Sequence, residues 1–242
     1  ENLQVSMKGA ADFVSKADIA AEKIIREELM GARPTYGWVG EESDEVEGTD
    51  PTRRWIVDPL DGTTNFLSGI PHYAISIACH VKGRPEHAVI YDPIKREEFT
   101  ASRGRGAYVN GQRLRVTGRI HKHGALYSTG IPFSNPSLEH MDAYLKIIGE
   151  LIPGSAGIRR IGAASLDLAY VAAGRFDAFW EMHLQPWDIA AGVLMVREAG
   201  GIVSDFKGGD KYLESGHIVA GTPKLFKPTL QVVQKHLGFL QK

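Results

Sequence analysis

The sequence predicts an α+β fold in which a mainly antiparallel β-sheet precedes a layered α/β region. Between Trp55 and about Gly118 the chain consists mostly of short strand-like segments, and Asn110-Gly111 is typical of a tight hairpin turn. After residue 124, strand-like and helix-like segments alternate. We therefore expect two sub-domains, residues 1–118 and residues 119–242, joined near residues 118–124.

The first half is predicted to contain one helix followed by strands. Residues 17–31 have an amphipathic pattern, with Asp18 near the start, Ile24 and Leu29 on the apolar face, and Gly31 at the end. Residues 31–54 are mostly loop-like and acidic, apart from the short apolar stretch YGWVG. Strands are then expected at 54–58, 73–81, 86–92, 97–103 and 106–114.

The second half is predicted to alternate between the two kinds of element. Strands are expected at 125–130, 157–162, 176–182, 201–205 and 217–221. Helices are expected at about 137–149, 163–174, 187–200 and 222–237.

The composition is that of an ordinary globular protein, with 43% hydrophobic and 24% charged residues among 242. The formal net charge of −1 gives no global attraction to nucleic acid or to an anionic membrane. No apolar run approaches the ~20 residues that a membrane span needs. One cysteine, Cys79, excludes an internal disulfide and is typical of a reducing compartment, so we expect a cytoplasmic protein.

Two carboxylates, Asp58 and Asp61, follow an apolar strand in the stretch WIVDPLDGTTNF. Close carboxylates repel and raise each other's pKa unless a positive charge lies between them. A hard divalent cation would supply that charge, because it prefers carboxylate and carbonyl oxygens, and the Leu60 carbonyl lies between the two acids. A single acid in such a position more often caps a turn or helix, as Asp188 could before IAAGVLM.

The residues after the second acid predict an anion-binding turn. If a helix or sharp turn opens at Gly62 and Thr63, their backbone N–H groups have no partner within it and attract an anion. The threonine hydroxyl could orient a water for attack. Spacing therefore indicates metal-assisted phosphoryl hydrolysis and specifies no substrate.

Four motifs in order resemble the inositol monophosphatase family, the magnesium-dependent, lithium-sensitive sugar phosphatases. They are DFVSKAD at 12–18, GEES at 40–43, WIVDPLDGTTNF at 55–66 and WDIAAGVLMVREAGG at 187–201. The resemblance extends from Lys8 to about Gly201. It implies the layered α-β-α-β-α sandwich of that superfamily, with most metal ligands in the first sub-domain and the sugar-binding residues in the second.

The resemblance also implies a metal site for two to three Mg²⁺ ions. Glu41, Asp58 and the Leu60 carbonyl would hold the first ion. Asp58, Asp61 and Asp188 would hold the second, so that Asp58 bridges the two.

Catalytic and phosphate-binding roles follow from the same resemblance. Thr63, paired with Asp18, would position and activate a metal-bound water, with Glu41 as a further catalytic group. Gly62 and Thr63 would bind phosphate through their backbone N–H groups. Lys8 would lie on a mobile flap near the phosphate and a third, weaker ion.

The substrate pocket implied by the resemblance centres on Glu181, seven residues before Asp188. A carboxylate there can accept hydrogen bonds from a polyol and repel an additional phosphate; the alternative is a solvated acid at a strand end. The residues expected to contact substrate are Gly62, Thr63, Asp61, Gly162, Ala163, Ala164, Glu181 and Asp188.

We therefore expect a homodimeric phosphatase that hydrolyses myo-inositol monophosphate and related polyol phosphates. A histidinol-phosphate phosphatase is the nearest alternative, because an acid in the pocket could also pair with an amine. A different class of function, partnership with the transcription antitermination machinery, is also open, since bacterial relatives of this kind can have that role. The arginines of IRRIG and SRGRG could serve such a contact, although surface solvation is the more common explanation for arginines there.

Overall fold

The computed structural model describes residues 5–9, 12–133 and 137–240, with side chains from residue 16 onward. The strands are β1 Val5–Gly9, β2 Asp12–Ser15, β3 Gly37–Gly40, β4 Arg53–Asp61, β5 Ala74–Val81, β6 Arg84–Asp92, β7 Glu97–Ser102, β8 Gly106–Val109, β9 Gln112–Arg113, β10 Leu126–Thr129, β11 Gly157–Arg159, β12 Ala178–Glu181, β13 Ile202–Ser204 and β14 Ile218–Gly221. The α-helices are α1 Lys16–Ala32, α2 Thr63–Leu67, α3 Met141–Leu151, α4 Ala164–Ala172, α5 Pro186–Glu198, α6 Tyr212–Ser215 and α7 Pro223–Leu237.

The first large sheet has seven strands in the order β3-β4-β5-β6-β7-β8-β9. Each pair from β4 to β9 is antiparallel, whereas β3 runs parallel to β4 at one edge. Sequence-adjacent antiparallel strands need only short turns, and this explains the regular spacing of turn residues in this half. The turn between β8 and β9 contains Asn110 and Gly111, both with positive φ, as the Asn-Gly signal predicts.

The second sheet has five strands in the order β11-β10-β12-β14-β13. Here β10 runs parallel to both neighbours, while β14 is antiparallel to β12 and β13. Parallel neighbours require a crossover, and helices α3 and α4 lie in the connections that lead from β10 to β11 and from β11 to β12. The alternation seen in the sequence therefore corresponds to a mixed sheet.

Helices α4 and α5 lie between the two sheets. All nine residues of α4 are buried, which matches a helix that is apolar on every side. On the far face of the second sheet, α3 and α7 pack together, with Tyr144, Ile147 and Val233 fully buried against Trp180. Because α1 covers the outer face of the first sheet at β4, the layers follow an α-β-α-β-α order and the predicted fold class is confirmed.

Helix α1 differs from its predicted amphipathic pattern. Ile24 is exposed, whereas Asp18 and Glu22 are buried. A helix facing apolar sheet residues would bury its isoleucines, but this one faces the polar end of β4. The expected apolar face was therefore wrong at Ile24, because the buried side of the helix carries Asp18 and Glu22, which accept hydrogen bonds from the Thr63 hydroxyl and the Glu42 N–H.

Other departures are smaller. Strand β3 occupies part of the stretch predicted as loop, β4 continues past residue 58 to Asp61, and α6 was not predicted. One hydrophobic cluster contains Ile90 and Phe99 from the first sheet together with Leu166 and Phe179 from the second half. The division into sub-domains at residues 118–124 stays a prediction.

Two further expectations concern the whole chain. Among the described residues, no helix has both the length and the apolar character that crossing a membrane requires. Cys79 is buried in β5 as a free thiol, in keeping with its expected place in the core.

Candidate active site

A bulge in β4 places two carboxylates together. Asp58 pairs with Ser76 and Asp61 with Ala74, so three steps along β4 match two along β5. Residues three apart on a regular strand point to opposite faces, and one extra residue reverses that alternation. Asp58 and Asp61 consequently face the same cavity, and Pro59 is tolerated because a bulge leaves a strand position without its ladder bond.

The chain then turns sharply into α2 at Gly62. Gly62 has φ +95°, and a Cβ there would lie 3.1 Å from the His72 carbonyl oxygen and 3.3 Å from that of Gly162. Buried Asn65 fixes the turn by donating from Nδ2 to the carbonyls of His72 and Ile161, each at 2.8 Å. The start of α2 is thus fastened to the segment that precedes α4.

Thr63, the first residue of α2, lies within hydrogen-bonding distance of Asp18. Its Oγ1 is 3.2 Å from Asp18 Oδ1 and 3.1 Å from the Leu60 carbonyl oxygen. A threonine hydroxyl has one proton, so it can donate to only one of these acceptors at a time. Asp18 itself is fully buried.

The acidic segment after β3 is held by α1. Glu41 donates its backbone N–H to the Val57 carbonyl at 3.2 Å, which extends the pairing of β3 with β4. Buried Glu22 accepts the Glu42 N–H at 2.8 Å. Gly40 permits this arrangement, because a Cβ there would come within 2.7 Å of Glu22 Oε2.

Two more aspartates accept hydrogen bonds from backbone N–H or hydroxyl groups in the second half of the chain. Asp61 Oδ2 accepts hydrogen bonds from the Ser165 N–H at 2.7 Å and from the Ser165 hydroxyl, at the start of α4. Asp188 is the third residue of α5 and accepts the Gln185 N–H at 2.7 Å, forming a capping box. Asp188 therefore has the capping role expected of an isolated acid and also lines the cavity.

These acids shift one another's protonation. Burial raises the pKa of Asp58 well above its usual range, and the charges of Glu41, Asp61 and Asp188 raise it further. Burial also raises the pKa of Asp188 strongly, with Asp61 as the next cause. For Asp61, burial raises the pKa to about 6, although hydrogen bonds from Ser165 partly oppose the rise.

The donor set suits a hard divalent cation. Asp58 Oδ1, Asp61 Oδ2 and Asp188 Oδ2 are engaged by hydrogen bonds, which leaves each carboxylate a second oxygen outside those bonds. Within the described parts of the chain, no three carboxylate or histidine side chains are already drawn together at metal-binding distance. A cation between the carboxylates would offset both causes of the raised pKa values of Asp58 and Asp188, which are burial and, second, the neighbouring negative charges.

The other end of the cavity is formed by Glu181 at the end of β12. Burial raises the pKa of Glu181 to about 8, while the Arg160 guanidinium and a hydrogen bond from the Gly130 N–H oppose the rise. Gly130 is required here, since a Cβ would collide with the Glu181 carboxylate. Arg160 is exposed at the rim with its guanidinium carbon 5.5 Å from the centre of the Phe133 ring.

A single cavity of about 380 Å³ joins the two ends. Asp18 lies behind Thr63 and does not appear among its lining residues, and the Lys8 side chain lies outside the described residues. The predicted site residues that line the cavity are Glu41, Asp58, Leu60, Asp61, Gly62, Thr63, Gly162, Ala163, Ala164, Glu181 and Asp188. Their individual roles stay predictions.

Sequence reasoning missed several residues of the site. Asn65 follows the two threonines of the central motif, so its place beside the turn at Gly62 was the one available signal. Ser165, Glu22 and Asp167 carry no local signal, because each reaches the cavity or its wall from a helix distant in sequence. Arg160, considered above only as a surface charge, lines the cavity.

Comparisons with known proteins agree with this geometry. The model of the inositol monophosphatase family matches residues 1–237. A Pseudomonas aeruginosa protein named Nus factor SuhB is 56% identical, over 97% of this chain and 88% of its own length. An inositol-1-monophosphatase from Rhizobium meliloti is 54% identical, over 97% of this chain and 88% of its own.

Among solved structures, the extragenic suppressor protein suhB from Bartonella henselae superposes with a TM-score of 0.93. It is 50% identical, and the match covers 98% of this chain and 90% of that one. With a family model spanning nearly the whole sequence and relatives above 50% identity, the chain belongs to the inositol monophosphatase family.

Proposed function

We propose that this protein is a Mg²⁺-dependent phosphomonoesterase that hydrolyses myo-inositol monophosphate and related polyol phosphates. The observation that carries the proposal is one cavity with four carboxylates at one end, a helix-opening turn beside them, and a half-buried glutamate, Glu181, opposite. Membership of the inositol monophosphatase family supports the same reaction class.

The metal-binding groups at the acidic end would be Glu41, Asp58 and the Leu60 carbonyl for one ion, and Asp58, Asp61 and Asp188 for a second. A third, weaker ion would lie near the N-terminal flap. When bound, the ions lower the pKa of a water and neutralise the charge on the phosphoryl oxygens. The protein's contribution is to hold the oxygens in place, and hydrogen bonds from Leu60 and Ser165 do so for two of the aspartates.

Thr63 and Asp18 would orient the attacking water. The Thr63 hydroxyl has two acceptors within reach, Leu60 O and Asp18 Oδ1. If the Leu60 carbonyl is a metal ligand, its lone pairs become poorer acceptors and the Thr63 proton is directed to Asp18. A Thr63 lone pair would then accept a hydrogen bond from the water, and as the water loses that proton to Thr63 Oγ1, the proton already on Thr63 would pass to the buried Asp18 carboxylate.

The phosphate would lie against the start of α2. Backbone N–H groups in the first turn of a helix have no intrahelical partner, and Gly62 and Thr63 stand at this position. Gly62, in the left-handed conformation, and Thr63 both line the cavity, and Asn65 fixes the turn by its hydrogen bond to the His72 carbonyl. An anion held there faces the carboxylates that would carry the ions.

Glu181 would bind the hydroxyl groups of the leaving alcohol. Its pKa of about 8 means that at neutral pH the carboxyl is largely protonated in the metal-free protein, and it can both donate to and accept from a polyol hydroxyl. In neither protonation state does Glu181 supply a positive charge to a second phosphate. This supports a neutral polyol as the leaving group.

A panel of phosphomonoesters tests the proposal. We expect kcat/KM to be highest for inositol 1-phosphate, to require Mg²⁺ and to fall on addition of Li⁺. Glu181→Ala should reduce kcat/KM for inositol 1-phosphate at least tenfold more than for 4-nitrophenyl phosphate, which has no hydroxyl to bind. Equal losses on the two substrates would remove Glu181 from the pocket, and a preference for histidinol phosphate would favour the alternative substrate.

A second candidate function is a protein contact with the transcription machinery. It is favoured by one observation, the name Nus factor borne by a relative that is 56% identical. Cytoplasmic localisation and a homodimer accord with both functions. Co-purification with RNA polymerase, compared between the wild-type protein and Asp58→Asn, separates them: retention by the inactive variant supports a role independent of catalysis, and absence of both proteins opposes it.

A further inference from the structure

Asp167 is a buried acid in the cavity that the proposed reaction does not use. It lies in the first turn of α4, is 2% exposed and lines the cavity together with Glu181. An acid in a first helical turn is favourable to the helix dipole, but that benefit is small and equally available at the surface. Its neighbours Leu166 and Leu168 are fully buried in the core between the sheets, where a carboxyl is costly.

The protein compensates this burial only in part, since Ser128 and Arg160 lower the pKa of Asp167 but do not cancel the effect of burial. Asp167 Oδ1 has no hydrogen-bond partner among the described residues, and neither has the buried hydroxyl of Ser128. The Ser128 hydroxyl is near enough to lower the pKa of Asp167, yet it is not aligned for a regular hydrogen bond. Behind them Tyr144 and Thr129 bond to each other at 2.7 Å, so these groups already have partners.

The charges around Asp167 are mostly negative. Burial raises its pKa well above the usual range, and Glu181 and then Asp61 raise it further, while Arg160 lowers it. Arg160 is the one basic side chain among the described lining residues, and it is exposed at the rim over Phe133. The leaving-group end therefore has one buried carboxyl, Asp167, one half-buried carboxyl, Glu181, and one peripheral cation.

We propose that Asp167 is a specificity-determining residue that, with Glu181, makes the leaving-group end of the cavity select hydrogen-bond donors and reject a second anionic group. This inference rests on the proposed phosphatase function and specifies its substrate class: monophosphates whose alcohol carries hydroxyl or ammonium groups. Uncompensated acceptors in a cavity wall favour a ligand that brings donors. Neither acid offers a positive charge to a second phosphate, and the ionised fraction of each would repel it.

The test compares three substrates in Mg²⁺ at neutral pH: inositol 1-phosphate, fructose 1,6-bisphosphate and 4-nitrophenyl phosphate. In Asp167→Asn we expect kcat/KM for inositol 1-phosphate to fall about tenfold relative to the bisphosphate. Turnover of 4-nitrophenyl phosphate should change less than about twofold, because that substrate has neither hydroxyl nor second anion. Asp167→Ala provides a second variant and should shift the ratio in the same direction.

Asp177→Asn is the matched control. Asp177 is also 2% exposed, but it bonds to Thr117 and Arg119 outside the cavity, so its loss should alter stability and leave the substrate ratio unchanged. An unchanged ratio in both Asp167 variants, or the same shift in the control, would overturn the inference. Wild-type protein that hydrolyses none of the three substrates would instead refute the proposed function, so the two failures are distinguishable.

Discussion

The two ends of the active-site cavity are built on different principles. At the acidic end, each aspartate is fixed by a hydrogen bond from the chain: Asp58 from the Leu60 N–H, Asp61 from Ser165 and Asp188 from the Gln185 N–H. At the opposite end Glu181 accepts the Gly130 N–H, but Asp167 Oδ1 has no hydrogen-bond partner in the part of the chain that the structure describes. The nearby cation, Arg160, is exposed on the ring of Phe133.

Under the proposed function, this difference assigns catalysis to the acidic end of the cavity and substrate selection to the opposite end. Ligands that must meet a cation in a fixed geometry need their rotamers held in advance, and hydrogen bonds from backbone and hydroxyl groups supply that order. Groups that recognise a substrate keep unused hydrogen-bonding capacity, which the substrate then satisfies. Mutations at the acidic end should accordingly affect every substrate alike, whereas those at the other end should discriminate between substrates.

The largest effect is expected at Asp58, the proposed bridging ligand. Asp58→Asn keeps an oxygen that can accept the Leu60 N–H but removes the charge shared by two ions, so activity should fall by at least ~10³-fold on all substrates. Circular dichroism and thermal unfolding should show an intact fold. Measurement of kcat at saturating Mg²⁺ checks this.

Asp92→Asn is the matched control for Asp58, because Asp92 is equally buried on a strand of the same sheet but lies outside the cavity lining. That variant should retain most of the activity while losing stability through its contact with Lys95. If Asp58→Asn turns over substrate near the wild-type rate, the bridging assignment is wrong.

An intermediate effect is expected at Ser165. Ser165→Ala removes the hydroxyl that fixes Asp61 Oδ2 while the backbone N–H remains, so the apparent affinity for Mg²⁺ should weaken by about 10- to 100-fold. Titration of activity with Mg²⁺ measures it, and the ratio between inositol 1-phosphate and 4-nitrophenyl phosphate should stay constant.

Ser204→Ala tests whether the loss at Ser165 is specific. Ser204 is similarly buried but bonds to the Asp205 carbonyl, away from the cavity. It should leave the Mg²⁺ dependence unchanged. A substrate-dependent loss in Ser165→Ala would contradict the separation between the two ends.

The residues at the acidic end of the cavity were easier to predict from the sequence than those at the opposite end, for a physical reason. Asp58, Leu60, Asp61 and Thr63 lie within one bulge and one turn, so their spacing alone indicated a cation beside an anion-binding backbone. The fold class was also predictable, because strand and helix periodicities are local. The layered order needed the family resemblance.

The residues that sequence missed act across large separations. Ser165 lies 104 positions from Asp61, and Glu22 lies 20 from Glu42. Neither separation matches a helix or strand repeat, so the sequence pattern does not predict these contacts. The bulge was missed because Pro59 and two acids argue against a strand, although a strand continues to Asp61. Ile24 was misjudged because an amphipathic pattern separates the polar side of a helix from its apolar side but does not show which of the two is buried.

The smallest effect is a pH dependence that distinguishes the ends in metal-free protein. The pKa of Asp61 rises from 3.8 to about 6 on folding, and that of Glu181 from 4.5 to about 8. Between its unfolded and folded pKa values, each of these acids holds a proton in the folded state that it has lost in the unfolded state. The free energy of unfolding therefore falls as pH rises through that range.

With EDTA present, Tm should decline between about pH 4 and 8. Asp61→Asn should flatten the decline mainly below pH 6, whereas Glu181→Gln should flatten it up to pH 8. Thermal melts at half-unit pH steps measure both slopes. Identical profiles for the two variants would mean that the acids titrate as one group and that the ends are not electrostatically distinct.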